Sequence, residues 1–235
     1  MKRLSVFMAF IFILILLAPG WAQQSENNYK DILIEMKKRF GEINTYQCIF
    51  ELYTAKEEKT KKSISRYFFK KPKMIRMEIF EGNSKGVVLL YDKNKKHEVR
   101  AKKRGFFVSL FSRSFRPEHK KVTGLRGRGI HQSDWGYYID RHIQMLEFLE
   151  GIFSGEEVVE SRNTLVFKLV SNNPERTESV AKETLWVCKK EFIPVKYVQY
   201  DLSGEKILSS LFKDIKLNID LDNKLFMKFK RVKER

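Results

Sequence analysis

Apolar residues in this chain recur at every second position in two separate blocks, and the stretch between the blocks recurs at every third and fourth. In the first block Tyr46, Cys48, Phe50 and Leu52 share one parity, while Gln47 and Glu51 take the other beside Ile49 and Tyr53. Successive side chains of a strand point to opposite faces, so this parity marks a strand with one well-buried face. Runs of the same kind follow at 63–70, 74–80, 86–91 and 97–102, and resume at 157–161, 164–170, 184–188, 195–201 and 206–217. Lys71-Pro72, Asp92-Lys93-Asn94 and Leu202-Ser203-Gly204-Glu205 punctuate them as turns. No strand–helix–strand alternation is present, so the blocks read as antiparallel meanders, not as a parallel sheet.

Two helices are predicted beside these meanders. Residues 28–40 place Tyr29, Ile32, Leu33, Met36 and Phe40 on one helical face, with Asn28 as a cap and Gly41 as a stop. Residues 103–153 interrupt the strands, and their second half repeats Trp135, Ile139, Ile143, Leu146, Leu149 and Phe153 at helical spacing. Ser133 is placed to cap that helix, and Gly151 lies near its end.

Ahead of the first helix, residues 1–22 carry the three parts of a secretory signal. Lys2 and Arg3 form a basic start, thirteen apolar residues run from Val6 to Ala18, and Gly20-Trp21-Ala22 offers small residues for cleavage after Ala22. The apolar run is shorter than the roughly 20 residues that span a bilayer, which weighs against the alternative of an uncleaved anchor. Removing Lys2 and Arg3 lowers the formal net charge from +17 to +15 and leaves residues 23–235 as one domain in the periplasm. Export permits a disulfide between Cys48 and Cys188; two separately buried thiols are the alternative.

Several phrases, in this order, are similar to the outer-membrane lipoprotein carrier (LolA/LolB-like) superfamily. Tyr67-Phe68-Phe69-Lys70-Lys71-Pro72-Lys73-Met74-Ile75-Arg76-Met77-Glu78 resembles its aromatic and Lys-Pro strand pair, followed by Val88-Leu89-Leu90-Tyr91-Asp92-Lys93 at its second hairpin. Thr184-Leu185-Trp186-Val187 through Ile193-Pro194-Val195-Lys196-Tyr197 and Asp201-Leu202-Ser203-Gly204 resembles its tryptophan strand, proline-led strand and hairpin. Phe212-Lys213-Asp214-Ile215-Lys216-Leu217-Asn218 continuing to Asp222-Asn223-Lys224-Leu225-Phe226 resembles its closing strand and terminal turn. The stretch Gly127-Arg128-Gly129-Ile130-His131 looks closest to an uncharacterised exported branch.

The resemblance implies an α+β fold: a curved antiparallel sheet, an incomplete barrel, whose concave apolar face is covered by an N-terminal and an inserted lid helix. It further implies a periplasmic carrier or chaperone for a lipid or an acylated protein. The strands then offer Phe50, Leu52, Ile75, Met77 and Ile79, and later Leu165, Phe167, Leu169, Tyr197 and Leu211, as lining for acyl chains. The lid offers Trp135, Ile139, Ile143 and Leu146. Plain core packing is the competing role for each.

Charge is concentrated in one place. Between residues 100 and 130 stand Arg100, Lys102, Lys103, Arg104, Arg113, Arg116, Lys120, Lys121, Arg126 and Arg128 against a single acid, Glu118. Phe106, Phe107, Phe111 and Phe115 are interleaved with them. Basic residues beside aromatic rings suit an anionic membrane surface or an acidic protein partner. A solvated loop over packed phenylalanines is the plain alternative, and nucleic acid is not expected of an exported chain without a recognised motif.

Catalytic chemistry is poorly provided for. The four histidines, His97, His119, His131 and His142, show no metal-ligand spacing, so no metal or cofactor is expected. Gly82-Asn83-Ser84-Lys85-Gly86 matches a nucleophile motif but lies in a hairpin-like turn without strand–turn–helix context, and Ser133 reads as a helix cap. His131 is a candidate pH sensor. The expectation is therefore a monomeric non-enzymatic binding protein, with an envelope sensor or interaction module of the same fold as the alternative and a hydrolase behind both.

Overall fold

The chain's computed structural model describes residues 29–95, 98–103 and 112–229. The expected signal segment, and Arg104, Phe106, Phe107 and Phe111 of the basic segment, lie outside the described residues. Helix α1 (Tyr29–Glu42) buries Tyr29, Ile32, Leu33 and Met36, the face its three- and four-residue spacing marks out. It runs through Gly41 without breaking there.

Six strands follow: β1 (Thr45–Lys56), β2 (Lys59–Lys70), β3 (Met74–Gly82), β4 (Val87–Asp92), β5 (Val99–Lys103) and β6 (Arg113–Phe115). Helix α2 (Trp135–Gln144) sits between two short 3₁₀ turns, Ile130–Gln132 and Leu146–Phe148. Then come β7 (Leu149–Val159), β8 (Arg162–Ser171), β9 (Lys182–Cys188), β10 (Pro194–Tyr200) and β11 (Lys206–Leu217), and a single helical turn α3 (Lys224–Met227).

All eleven strands form one antiparallel sheet in the order β6-β5-β4-β3-β2-β1-β11-β10-β9-β8-β7. The two meanders are joined where β1 pairs with β11, with Phe50 opposite Phe212. Their other ends, β6 and β7, are the two open edges, so the expected α+β half-barrel is present. This topology has a geometric consequence. The chain leaves β6 at one edge and must re-enter β7 at the other, so the segment from Arg116 to Phe148 crosses the concave face and covers it. A continuous core of strand residues, α1 and α2 fills the space between.

Among the described residues, the outer face is covered by the C-terminal chain. Residues 219–226 bring Leu221 and Phe226 onto Phe68 and Met74. Beneath them Arg76 is fully buried, paired with Glu78, and donates to the carbonyls of Leu225 at 2.8 Å and Lys228 at 2.7 Å. Arg100 adds a hydrogen bond to the Phe226 carbonyl at 3.0 Å. Each charged donor thereby satisfies a carbonyl that the irregular C-terminal chain leaves unpaired.

Three expectations are corrected by the fold. The inserted helix ends at Gln144, and Leu149 to Phe153 begin strand β7. A spacing of four is a multiple of two, so Leu149 and Phe153 satisfy helix and strand alike. Gly151 is not a helix stop: a Cβ there would lie 2.5 Å from Tyr29, so its glycine admits α1 against β7. Secondly, the helix is capped by Asp134, whose carboxylate accepts from the Tyr137 amide at 3.1 Å, while Ser133 Oγ donates to the Ile130 carbonyl.

Thirdly, Cys48 and Cys188 are free and both buried. They lie on β1 and β9, three strand steps apart in the sheet, and the Cys188 thiol donates to Glu191 at 2.6 Å. A bridge requires Cα atoms within about 7 Å, which neighbouring strands reach and distant ones do not.

Candidate functional site

The concave face is not filled uniformly. Strands β1, β2 and β3 each run from a helix-covered end to a loop-covered end, and their inward residues meet different partners along the way. At the helix-covered end Tyr46 stacks on Trp135 of α2 with ring centroids 3.9 Å apart and on Phe69 at 4.9 Å. Ile139 and Leu33 are fully buried beside them.

Helix α2 is also held by polar groups under it. Glu183 of β9 is 3% exposed, accepts from Tyr138, lies 3.3 Å from His142 Nε2, and accepts from Gln199 Nε2 at 2.5 Å. Burial alone would raise the Glu183 pKa, but His142, Arg141 and the Tyr138 hydroxyl outweigh it and bring it down to about 2. Glu183 is therefore ionised at any ordinary pH.

Four positions further along β1 the packing gives way to a cavity of about 190 Å³. Phe50 and Leu52 of β1, Met77 and Ile79 of β3, Val87 and Leu89 of β4, Tyr197 of β10 and Leu208 of β11 supply its sheet side. Phe50 stacks on Phe212 at 4.8 Å and separates the cavity from the helix-covered core. The opposite side is the crossing chain, residues 121–124, 126, 128–130, 132 and 133. Apart from the 3₁₀ turn Ile130–Gln132, this chain is irregular there. Thr123 bridges to Gly129, Gly124 N–H donates to the Arg128 carbonyl at 2.8 Å, and Gly127 takes a φ of +78° in the turn between them.

Polar contacts fix this cover in place. Tyr67 OH lies 2.9 Å from Ser133 Oγ, Gln132 accepts from the Gly129 amide at 3.1 Å, and Lys73 Nζ is 2.9 Å from Asp134. A second anchor comes from the β8–β9 loop. Arg128 Nε meets Glu178 at 3.2 Å, Arg141 Nε meets it at 3.1 Å, and Arg126 donates to the Glu178 carbonyl at 2.7 Å. Burial pushes Glu178 up, and Arg141 and Arg128 more than reverse this, so its carboxyl sits below the usual range. His131, in contact with Tyr91, is held below the ordinary imidazole range by burial first and then by Lys73, against the pull of Glu118 and Asp134.

Of the expected lining, Phe50, Leu52, Met77, Ile79 and Tyr197 face the cavity. Ile75, Leu165, Phe167, Leu169, Trp135 and Ile139 belong to the packed core, and Leu146 packs partly against it. Two positions are corrected. Ile143 is 36% exposed on the far side of α2. Leu211 pairs in register with Glu51 and Lys196 on the outer face, while its neighbours Ser210 and Phe212 point inward. Both parities of β11 are apolar between Ile207 and Phe212, so alternation alone did not assign its faces.

The basic segment divides into separate parts. Lys103, Arg113, Arg116 and Lys120 are exposed, with Lys102 half-buried on β5. Lys121, which is exposed as well, and the half-buried Arg126 and Arg128 line the cavity mouth. Sequence reasoning missed Thr54 and Lys61, which also line it. They continue the inward parity of Phe50 and Leu52 through the β1–β2 hairpin, where Thr54 pairs with Lys61, and that parity was the available signal.

No protein-family model matches the sequence, and no curated protein matches it. Solved structures do share the fold. An uncharacterised conserved protein from Thermus thermophilus aligns at 12% identity over 86% of this chain and 94% of its own, with a TM-score of 0.53. The lipoprotein LppX from Mycobacterium tuberculosis aligns at 8% identity over 82% of this chain and 98% of its own, with a TM-score of 0.51. A LolA superfamily protein from Nitrosomonas europaea aligns at 16% identity over 85% and 97%, with a TM-score of 0.38, too low to bear on the argument.

Proposed function

We propose that the protein is an exported lipid-binding carrier that holds an acyl chain, of a lipid or of an acylated protein, at the loop-covered end of its half-barrel. The observation that carries this reading is the unfilled apolar space under residues 121–133, on a sheet whose other end is occupied by the stacked rings of Tyr46 and Trp135. Each methylene buried there contributes about 0.8 kcal/mol, so eight of them supply roughly 6 kcal/mol before the cost of ordering the chain. Affinity of that size suits a carrier, which must also release its cargo.

Three further observations support the reading. Residues 1–22 have the form of a secretory signal, which directs the protein to the periplasm. The fold is shared with LppX, whose description is that of a lipoprotein. Neither serine that caught attention in the sequence is set up as a nucleophile: Ser84 lies in the β3–β4 turn, and Ser133 Oγ is spent on the Ile130 carbonyl at 2.6 Å. The exposed Lys103, Arg113, Arg116 and Lys120 then form the surface that docks on an anionic membrane, each contributing about 1 kcal/mol.

Native mass spectrometry of the purified protein, with organic extraction of what it carries, tests the carrier role. A copurifying chain, or uptake of an added one, is the expected result. An interior that stays empty in the presence of every chain offered overturns it. Sedimentation with anionic against neutral vesicles checks the docking surface separately.

A further inference from the structure

The lining of the cavity has a sign. Lys61, Lys62, Lys121, Arg126 and Arg128 contribute to it, and no Asp or Glu does among the described residues. The five are not equivalent. Lys62 has the opposite parity to Lys61, and its ammonium lies over the outward-facing Tyr53 ring at 6.0 Å. Lys61 shares the inward parity of Leu52 and Thr54 and stands at the mouth. Four cations therefore border an apolar space from two sides: Lys61 from the sheet, and Lys121, Arg126 and Arg128 from the crossing chain.

Charge nearby does not cancel this field. Glu178 is the acid paired with Arg128, and it is shared with Arg141, which is 5% exposed. Neither terminal guanidinium nitrogen of Arg141 has a hydrogen-bond partner among the described residues. Arg126 reaches only the Glu178 carbonyl, a dipole, and its Nε is buried without a partner among the described residues. Burial, then Arg128 and Arg141, push the Arg126 pKa down, against the opposing pull of Glu178 and Asp201. Arg128 and Arg141 thus share one carboxylate beside the cavity while Arg126 meets only its residue's backbone carbonyl, and an anion at the mouth would relieve the repulsion among the three guanidinium groups.

Size limits the rest of the ligand. About 190 Å³ is below the 300–1,000 Å³ typical of pockets for drug-sized molecules, so the space takes one chain and not a bundle of them. We infer that the cargo is a single-chain amphiphile with an anionic head, carboxylate or phosphate, whose tail lies on Phe50, Met77 and Ile79 and whose head meets Lys61 and Arg126. This rests on the carrier reading and adds to it the chemistry of the head. It also assigns Lys121, Arg126 and Arg128 to the ligand and not to a membrane surface.

The test compares three probes of equal chain length, dodecanoate, dodecyl phosphate and dodecanol, titrated calorimetrically below their aggregation limits into the purified protein. At least one anionic probe should bind tenfold or more tighter than the alcohol, and the gap should narrow as salt is raised. Whichever anionic probe binds tighter identifies the head as carboxylate or phosphate. Lys61→Gln, on an exposed strand position, and Arg126→Gln should each shrink the gap, read as the ratio of the anionic probe's affinity to that of dodecanol in the same variant. Lys61→Gln serves alone if Arg126→Gln does not fold. Equal binding of all three probes, or a gap that survives Lys61→Gln together with high salt, overturns the anionic head and leaves the carrier standing. No binding of any probe overturns both.

Discussion

The helix-covered and loop-covered ends of the concave face are built on the same strands, yet one is core and the other is cavity. Tyr46 and Phe50 stand on one face of β1, four residues apart, and both are aromatic and buried. What differs is the cover. Over Tyr46 lies a helix that presents Trp135 and Ile139 at regular spacing and is anchored from below by Glu183. Over Leu52 and Ile79 lies a chain that turns through Gly124, Gly127 and Gly129 and, of its apolar residues between 121 and 133, sends Val122 and Ile130 into the core. A close-packed interior requires side-chain volume from both layers. Where one layer withholds it, the sheet is left with apolar surface available to a ligand.

The sharpest way to break this contrast is at its filled end. Trp135→Ala removes a fully buried ring from the stack with Tyr46 and Phe212 and is expected to cost about 4 kcal/mol, read as a fall in the denaturant midpoint. A cost below about 1 kcal/mol would mean the two ends are packed alike.

The next largest effect belongs to the polar anchor. Glu183→Gln leaves His142 and Gln199 without their carboxylate and is expected to cost about 3 kcal/mol. Because Glu183 titrates at about 2 in the folded chain, against an ordinary value of 4.5, it stabilises the fold above pH 4.5. That stabilisation is lost as pH falls from 4.5 toward 2. Glu183→Gln should therefore flatten the acid limb of the stability profile over that window, measured by denaturation at a series of pH values.

The smallest effect on stability, and the most telling on function, lies at the open end. Leu52→Trp places a larger ring where space exists, so stability should change by less than about 1 kcal/mol. Chain uptake should fall at least tenfold in the same calorimetric titration. A large loss of stability with uptake intact would reverse the assignment of the two ends.

Much of the sheet was legible because alternation is a local property. The inward parity of Tyr46, Cys48, Phe50 and Leu52 was readable in the sequence, and the structure follows it through the hairpin to Lys61. Strand β7 was not legible, since Leu149 and Phe153 fit helix and strand equally. Nor was Leu211, since β11 is apolar on both faces. The site was legible only in part. Five expected lining residues face the cavity, whereas Ile75, Phe167 and Trp135 have the same chemistry and are core, because the distinction rests on the opposite layer and not on the strand.

The sequence by itself determined the strand blocks, the amphipathic helices, the concentration of charge between residues 100 and 130, and the resemblance that implied a half-barrel. Each of these is written in neighbouring residues through a period or a local count. Tertiary structure alone decided that the two meanders join at β1 and β11, and hence that residues 116–148 must cross the concave face. It also decided that this crossing turns Arg126 and Arg128 toward the cavity and leaves Arg113 and Arg116 outside. Burial, charge balance and empty volume are properties of two layers brought together, and no single stretch of chain contains both.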